Sequence, residues 1–372
     1  MKKDNSQIKL LYIAYSDPNF IKSGSGIRPK RMLEAFEKLG YNVIKFYAEQ
    51  HRGEFNERKK IIKKIERIVF SEKIDLCYIE SSTYPILLHA DRKLIKTIHN
   101  QGIPIGYFYR DFYRKFPNLF PRRKGFINFL KETWLDLMQL LTDRILRYCD
   151  IIYLPSKSCK ELFSYKDMRE LPPAGRELHL SHNTDIFTGI YVGGLTGTYN
   201  GEFILEVFNE LFNRNKLYNL ILVCRENEFN KISNNYNNCQ WLNVFHASGE
   251  ELLELYDKAS FAIAAQRKDY IYNRYSISVK TFEYMEHGLP QVVVNNKSIK
   301  EFIEKEIVGI AANEDVNEFA DAVQYLVENP GVYNKYRDNV KESLLKRNLW
   351  NHRVETIVTD LLNTKKISEK DL

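Results

Sequence analysis

Short apolar runs alternate with amphipathic segments along most of the chain, and this pattern predicts an α/β protein. The first half contains apolar runs of strand length, separated by helical patterns, at 9–15, 41–47, 75–80, 105–109 and 151–155. Helical spacing is clearest in 58–71, where one face would carry Ile61, Ile62, Ile65, Ile68 and Val69. Alternation of strands and helices predicts a parallel sheet covered by helices.

The alternation breaks between about residues 166 and 185, where Pro172-Pro173-Ala174-Gly175 is typical of a linker. It then restarts with strands at 186–192, 219–224, 241–245, 261–265 and 307–311, helices at 202–212, 250–258 and 316–328, and a long final helix from about 330 through 362. We therefore predict two Rossmann-like, doubly wound domains facing across a cleft, at 1–180 and 181–345. The C-terminal helix, about 346–365, would cross back to the first domain. Ligands of such sheets bind at the carboxyl ends of the strands.

Length and composition agree with a soluble two-domain protein. A chain of 372 residues exceeds one ordinary core, and 44% apolar with 28% charged residues is typical of globular proteins. No apolar run approaches the roughly 20 residues of a membrane span, and Met1–Gln7 lacks a signal-peptide core. We expect a cytoplasmic protein whose five scattered cysteines are free thiols rather than metal ligands. The formal charge of +7 suits anionic substrates or an anionic membrane surface, and without a nucleic-acid motif we expect no nucleic-acid partner.

The segment 276–290 is the most informative part of the chain. It predicts a helix that ends at Gly288 and leads directly into the apolar strand Val292-Val293-Val294. Glu283 lies between two aromatic residues, on a face expected to meet other protein. A carboxylate there costs free energy unless it is paired. Its partner could be ligand hydroxyl groups, or Glu283 could be a structural N-cap or form a salt bridge with Lys280.

Three segments in this order, 191–195, 248–260 and 282–290, resemble the C-terminal domain of GT-B glycosyltransferases, and most closely the large family 4 of retaining enzymes. The resemblance covers most of the second half, and the first half mainly by architecture. It implies that the second domain binds a nucleotide-sugar donor and that the first lies on the acceptor side.

That family usually carries two glutamates spaced E-x7-E. Glu283 matches the second, which binds the ribose hydroxyls of the donor, whereas Tyr275 stands in place of the first. Lys280 resembles a lysine that some relatives place shortly before the helix glutamate. Gly194 and Asn200 occupy the positions where many relatives hold the diphosphate with an arginine and a lysine.

A diphosphate leaving group needs positive charge or backbone N–H groups near it. Gly193 and Gly194 follow a strand and allow close backbone approach, and Thr196 or Thr198 could add a hydroxyl; a plain strand-end turn is the alternative. Among the cations, we favour Lys280 and Arg225 over Arg267 and Arg274, and a solvated surface charge is the alternative for each.

Two segments of the first domain carry further candidates. Ser23-Gly24-Ser25-Gly26-Ile27-Arg28 resembles the glycine-rich loop that such enzymes place beneath the donor phosphates and the acceptor. It precedes a helix N-terminus, which attracts anions, and Arg28 could hold a phosphate or an acceptor group. Arg110 and Asp111 follow a strand where relatives often place a catalytic histidine. Asp111 could orient the acceptor or act as a base, and a structural Arg110–Asp111 pair is the alternative.

The resemblance implies a hexosyl transferase of polysaccharide biosynthesis that moves a sugar from a nucleotide-sugar donor, with a UDP-sugar as the expected donor, to a glycan, lipid-linked glycan or glycoprotein. In retaining enzymes of this class the leaving phosphate takes the acceptor proton, so no protein base is needed. No DxD sequence occurs, so we expect turnover without a metal or other cofactor. The alternatives are a nucleotide-sugar 2-epimerase and a non-catalytic partner that binds sugar nucleotides or membranes.

Basic and aromatic residues are interleaved after residue 121. Arg122-Arg123-Lys124 is followed by Phe126, Phe129 and Trp134. This composition suits contact with an anionic membrane surface, through which the protein would reach a lipid-linked glycan. Burial of the aromatic residues in a helix core is the alternative.

Overall fold

The computed structural model describes residues 4–15, 26–47, 55–117, 119, 124–180, 185–232, 236 and 238–368. The chain divides into two compact units. The first consists of Met1–Pro172 with Trp350–Leu372, and the second of Pro173–Leu349. This division falls inside the segment interpreted as a linker.

A six-stranded parallel sheet forms the centre of the first unit. Its strands are β1 (Lys9–Ala14), β2 (Asn42–Tyr47), β3 (Leu76–Glu80), β4 (Ile105–Phe108), β5 (Ile151–Leu154) and β6 (Met168–Glu170), in the order β2-β1-β3-β4-β5-β6. The helices of this part of the chain are α1 (Ile27–Lys38), α2 (Phe55–Ser71), α3 (His89–Asn100) and α4 (Phe126–Ile145). Every residue of β3, β4 and β5 is buried, as expected for parallel strands covered on both faces.

The second unit has the same architecture, with six parallel strands in the order β12-β11-β10-β7-β8-β9. They are β7 (Thr188–Val192), β8 (Asn219–Val223), β9 (Leu242–Phe245), β10 (Phe261–Ala264), β11 (Gln291–Val294) and β12 (Gly309–Ala312). Its helices are α5 (Gly201–Arg214), α6 (Glu226–Phe229), α7 (Glu250–Asp257), α8 (Val279–Glu286), α9 (Lys297–Glu306), α10 (Val316–Val327) and α11 (Pro330–Arg347). The predicted α/β class with two parallel sheets is confirmed.

The end of the chain differs from the prediction of one long helix. Helix α11 stops at Arg347, and α12 runs over Trp350–Ser368. Between them Asn348 has non-helical angles (φ −122°, ψ 25°), its carbonyl accepts a hydrogen bond from Gly175 N at 2.8 Å, and Leu349 forms a bridge with Gly175. This backbone pairing accompanies the end of α11. The spacing of apolar residues could not predict it, because Gly175 is distant in the sequence. Helix α12 then packs on α1, β3 and β4 as part of the first unit.

Strand β6 lies in the segment interpreted as a linker and was missed in the sequence. It has only three residues, none of them buried, so it lacks the apolar run by which the other strands were predicted.

A buried ion pair joins α2 to α3. The Arg58 guanidinium donates to Asp91 with an Nε–Oδ2 distance of 2.9 Å and an Nη2–Oδ1 distance of 2.8 Å. Both side chains are buried, and the guanidinium lies 4.9 Å from the ring centroids of Tyr15 and Phe46. Burial raises the pKa of Asp91, and Arg58 opposes that shift. The sequence gives only a basic residue at the start of an amphipathic helix, so this pair was not predicted.

Replacing Asp91 by Ala should destabilise the first unit by about 3–5 kcal/mol, because it removes the carboxylate that the buried Arg58 guanidinium contacts. Urea unfolding combined with amide hydrogen exchange of β1 and β3 measures this. The control is Glu34→Ala on α1, whose partner Arg31 lies 2.7 Å away at the surface; it should cost less than about 1 kcal/mol. Equal losses in the two variants would contradict the importance of the buried pair.

Candidate functional site

The predicted donor-binding residues of the second unit lie at the carboxyl edge of its sheet. Gly193 and Gly194 follow β7, Arg225 follows β8, and Lys280 and Glu283 lie on α8. Hydrogen bonds connect these elements: Gly193 N donates to Val223 O at 3.0 Å, and Val192 N to the Tyr284 hydroxyl at 3.1 Å. The edge is therefore one continuous surface within this unit.

The turn after β7 is closely packed at Gly194. The Tyr191 hydroxyl donates to Gly194 O at 2.5 Å, and Glu228 Oε2 accepts from Leu195 N at 2.7 Å. A Cβ on Gly194 would lie 2.7 Å from the Tyr199 ring and 3.1 Å from Glu228 Oε2. Glycine is thus needed at 194 for packing within the turn, whereas Gly193 and the partly exposed Thr196 remain at the sheet edge.

Asn200 occupies a left-handed conformation at the start of α5, with φ 57°. Its side chain donates to Glu314 Oε1 at 2.7 Å, and Glu314 Oε2 accepts from Lys268 N at 2.7 Å. Thr198 in the same loop donates to Asn273 Oδ1 at 2.8 Å. Many relatives carry a phosphate-binding cation at position 200. In this protein the Asn200 side chain instead connects the loops after β7, β10 and β12.

The first turn of α8 combines a cap with an ion pair. Ser278 Oγ accepts from Lys280 N at 3.2 Å, and Lys280 Nζ lies 2.5 Å from Glu283 Oε2. The Tyr256 hydroxyl is 3.4 Å from the same carboxylate oxygen. Glu283 is 21% exposed and Lys280 33%, so both reach the surface while they satisfy each other. The salt bridge with Lys280, given above as an alternative, is present, and the partly exposed carboxylate remains open to a ligand.

The other candidates of this unit differ in exposure. Arg225 is 79% exposed, with Glu228 Oε1 at 3.6 Å. Arg267 pairs with Asp269 at 2.7 Å, and the Arg274 guanidinium lies 6.0 Å from the centroid of the Tyr275 ring. Tyr275 itself is buried. Arg225, at the end of β8, is therefore more exposed than Arg267 (46%) or Lys280 (33%).

Glu286, the second acidic residue of α8, is buried, with a side chain only 3% exposed. Its Oε1 accepts from Arg176 N at 2.8 Å, and its Oε2 lies 3.1 Å from Arg176 Nη2. Burial raises the pKa of Glu286, and the Arg176 charge opposes the shift. The partner comes from a segment distant in sequence, which spacing within the helix could not reveal.

In the first unit, Arg28 is buried among protein partners. Its Nε lies 3.2 Å from Glu80 Oε1, its Nη1 donates to the carbonyl oxygens of Leu171 and Pro172 at 3.2 and 3.3 Å, and its guanidinium is 3.5 Å from the Phe108 ring centroid. These contacts give Arg28 a structural role, and they do not support the predicted role in holding a phosphate. Gly26 precedes α1 directly, while Gly24 lies outside the described residues.

Arg110 and Asp111 form the structural pair given as the alternative. The Nε–Oδ2 distance is 3.1 Å, and both side chains are about 15% exposed or less. Thr83 Oγ1 donates to Asp111 at 2.8 Å and lies 3.1 Å from Arg110 Nη2. The pair lies just after β4, where the acceptor-side candidates were expected.

No three His, Cys, Asp or Glu side chains of the described part of the chain are grouped as metal ligands. None of its helices is long and apolar enough to cross a membrane.

The fold, with two parallel six-stranded sheets flanked by helices, is that of GT-B glycosyltransferases. Residues 187–329 match the family model of glycosyl transferases group 1. The second unit therefore carries a domain that matches group 1 glycosyl transferases, and the chain as a whole has the GT-B fold. No curated protein matches the chain by sequence.

Solved structures with the same fold are distant in sequence. WaaG, a glycosyltransferase involved in lipopolysaccharide biosynthesis, is 12% identical with a TM-score of 0.59, over 93% of this chain and 98% of WaaG. An alpha-glucosyltransferase in complex with UDP-glucose and DNA containing an abasic site is 14% identical with a TM-score of 0.57, over 95% and 99% of the two chains. The pneumococcal O-GlcNAc transferase GtfA, in complex with UDP and GlcNAc, is 10% identical with a TM-score of 0.55, over 82% of this chain and 59% of GtfA.

His287 gives the second unit a pH-dependent stability. Its ring stacks on Tyr256 with centroids 4.2 Å apart, and burial, with His179 and Arg176 nearby, lowers its pKa to about 4. The unfolded chain binds a proton below about pH 6.5, so stability rises with pH between about 4 and 6.5 and is fully present above that range. The raised pKa of Glu286 acts in the opposite sense.

The variant His287→Phe retains a ring against Tyr256 and removes the titrating group. Urea unfolding between pH 4 and 7 should show a weaker loss of stability toward low pH than the wild type, by roughly 3 kcal/mol at pH 4. An identical pH profile in the two proteins would contradict this origin of the acid sensitivity.

Proposed function

We propose that this glycosyltransferase moves a hexose from a UDP-sugar to a glycan, lipid-linked glycan or glycoprotein, with retention of configuration and without a metal ion. We also propose that the protein is a member of family 4, the retaining enzymes that its second half resembles. The observation that carries it is the Lys280–Glu283 pair, partly exposed on the first turn of α8 inside the matched domain. UDP in complexes of the alpha-glucosyltransferase and of GtfA supports uracil as the base of the donor nucleotide.

In this mechanism Glu283 accepts hydrogen bonds from the ribose hydroxyls of the donor. Charge-assisted hydrogen bonds of this kind contribute about 1.5–3 kcal/mol. Lys280 and Arg225 supply positive charge for the diphosphate in place of the cations absent at Gly194 and Asn200, together with the backbone N–H groups of the turn after β7. The leaving phosphate takes the acceptor proton, so catalysis consists of positioning and electrostatic stabilisation.

Replacing Glu283 by Gln should weaken UDP binding about 10- to 100-fold, in line with the free energy of a charge-assisted hydrogen bond. Calorimetric titration with UDP measures this, and release of free UDP from UDP-hexoses measures turnover. The matched control is Glu304→Gln on α9, 59% exposed, which should bind UDP as the wild type does. Unchanged affinity in Glu283→Gln would remove Glu283 from the donor site.

The same turnover assay tests the remaining elements of the proposal. Activity should persist in EDTA; loss that magnesium or manganese restores would contradict metal independence. An epimerised donor without free UDP would instead identify an epimerase, and neither product with any UDP-, GDP- or dTDP-sugar would favour a non-catalytic binding protein.

We further propose that α4 of the first unit contacts an anionic membrane surface. The helix carries a stripe of exposed apolar side chains, defined as the α4 stripe: Ile127, Leu130, Trp134, Leu137 and Leu140. Lys124 and Lys131 are also exposed, and cations beside an apolar helix face favour binding to anionic lipid. Burial of the aromatic residues in a helix core, the alternative given above, is not supported, because Phe126, Phe129 and Trp134 are 76%, 58% and 45% exposed.

The protein should sediment with vesicles of phosphatidylglycerol and phosphatidylcholine, and Leu130→Ser with Trp134→Ser should lower the bound fraction at least fivefold. Each substitution removes apolar area worth about 1.5–3 kcal/mol when buried. Leu217→Ser, at an exposed leucine of the second unit, is the control. No sedimentation of the wild type at low salt would contradict the proposal.

A further inference from the structure

A cavity of about 260 Å³ lies in the first unit, between the loop after β4 and helix α4. Asp111 and the residues that follow it line one side, and Gln139, Leu140 and Asp143 of α4 line the other. Its volume is slightly below the roughly 300–1,000 Å³ of pockets for drug-sized molecules. The cavity therefore suits a compact group such as one sugar ring.

One polar group on the α4 side, the Asp143 carboxylate, is a hydrogen-bond acceptor held in place by its neighbours. Asp143 Oδ1 accepts from the Tyr165 hydroxyl at 2.8 Å and from Gln139 Nε2 at 3.0 Å, and Gln139 also donates to the Tyr109 hydroxyl at 2.8 Å. A carboxylate can accept about four hydrogen bonds. Asp143 thus keeps lone pairs for ligand hydroxyl groups, while its neighbours hold it in place.

The charges of the lining disfavour an anionic ligand. Arg114 is held between the Asp136 carboxylate and Glu132, whose Oε2 and backbone O lie 3.2 and 3.1 Å from its guanidinium. Lys115 Nζ lies 5.1 Å from the Phe163 ring centroid. A phosphate would have to compete with these carboxylates and would approach Asp111 and Asp143. An uncharged, hydroxyl-rich ligand meets no such repulsion.

The cavity also has apolar walls, and it opens beside the α4 stripe. Tyr109, Phe112 and Tyr113 contribute aromatic surface to the lining, against which the C–H face of a sugar ring can pack. Leu140 lines the cavity, is 67% exposed and belongs to the α4 stripe. Leu137 lies one helical turn away on the same side. A ligand with a polar head in the cavity would direct an attached apolar group along that stripe.

We propose that this cavity binds an uncharged sugar residue of the acceptor, and that the acceptor carries an apolar group which lies along the α4 stripe. The inference rests on the proposed transferase function and names the acceptor class: a neutral glycolipid rather than a sugar phosphate or a free glycoprotein glycan.

The test is direct binding, measured by calorimetry and saturation-transfer NMR on the full chain. The probes are octyl glucoside, galactoside and mannoside below their micelle concentrations, the corresponding methyl glycosides, glucose 1-phosphate and octyl phosphate. At least one octyl glycoside should bind, with its methyl glycoside and both phosphates at least tenfold weaker. A phosphate that binds as tightly as the best octyl glycoside would overturn the proposal.

Two variants locate the binding. Gln139→Leu, which removes the donor to Asp143 and Tyr109, should weaken both octyl and methyl glycosides at least tenfold. Leu140→Asp, at an exposed position where folding is not at risk, should weaken the octyl glycoside at least tenfold and leave the methyl glycoside unchanged. Leu345→Asp, at an exposed leucine of α11, is the matched control and should change neither.

Octyl glycoside binding that is unaffected by both variants would overturn the proposal even when the protein is active. UDP titration of the same samples distinguishes failure of the acceptor inference from failure of the proposed transferase function. If UDP binds and Glu283→Gln weakens it while the cavity variants have no effect, the proposed function stands and the acceptor inference fails. If UDP does not bind, the proposed function fails, and the glycoside titrations still decide whether the cavity is a sugar site.

Discussion

Both units depend on parallel strands that are buried on both faces, and this constraint decides where polar chemistry can occur. Strands β3, β7 and β11 are entirely buried, so a ligand cannot reach their faces. Backbone and side-chain groups become available only where each strand ends and the chain turns toward the next helix. The candidate donor residues follow β7 and β8 or lie on α8, and the cavity of the first unit lies beside the loop after β4.

Side-chain hydrogen bonds hold the turns at these strand ends. Gly194 and Asn200 in these turns stand where many relatives of the resembled family carry cations. Asn200 and Glu314 tie the loops of the second unit together through hydrogen bonds of 2.7 Å, and Glu228 occupies the space next to Gly194. A cation at 194 would meet the Tyr199 ring before it reached a ligand. In the proposed function, the positive charge near the donor diphosphate therefore comes from other elements, and Lys280 and Arg225 lie at the same edge of the sheet.

Sequence patterns predicted much of the fold because burial of parallel strands leaves a local signal. Continuous apolar runs such as Val292-Val293-Val294 mark their own strands, and the Gly288 stop marks the end of α8. Pairings between distant segments leave no such signal. Gly175 with Asn348, Arg176 with Glu286 and Arg58 with Asp91 each join parts of the chain that spacing cannot relate. The same reason explains why Arg28, beside a glycine-rich segment, was interpreted as a phosphate ligand although Glu80 and two carbonyl groups hold it inside the unit.

Helix α4 shows how one element can serve two environments. Its buried positions Leu135, Met138 and Thr142 attach it to the first unit, which fixes Gln139 and Asp143 against the loop after β4. The remaining face of α4 exposes large apolar side chains. Water solvates them poorly, and the first unit does not cover them. The cavity residues and the α4 stripe lie on the same helix. A shift of the stripe relative to the loop after β4 would therefore require Met138 and Thr142 to repack. An acceptor with both a sugar and a lipid portion is the chemistry that uses both faces of that helix at once.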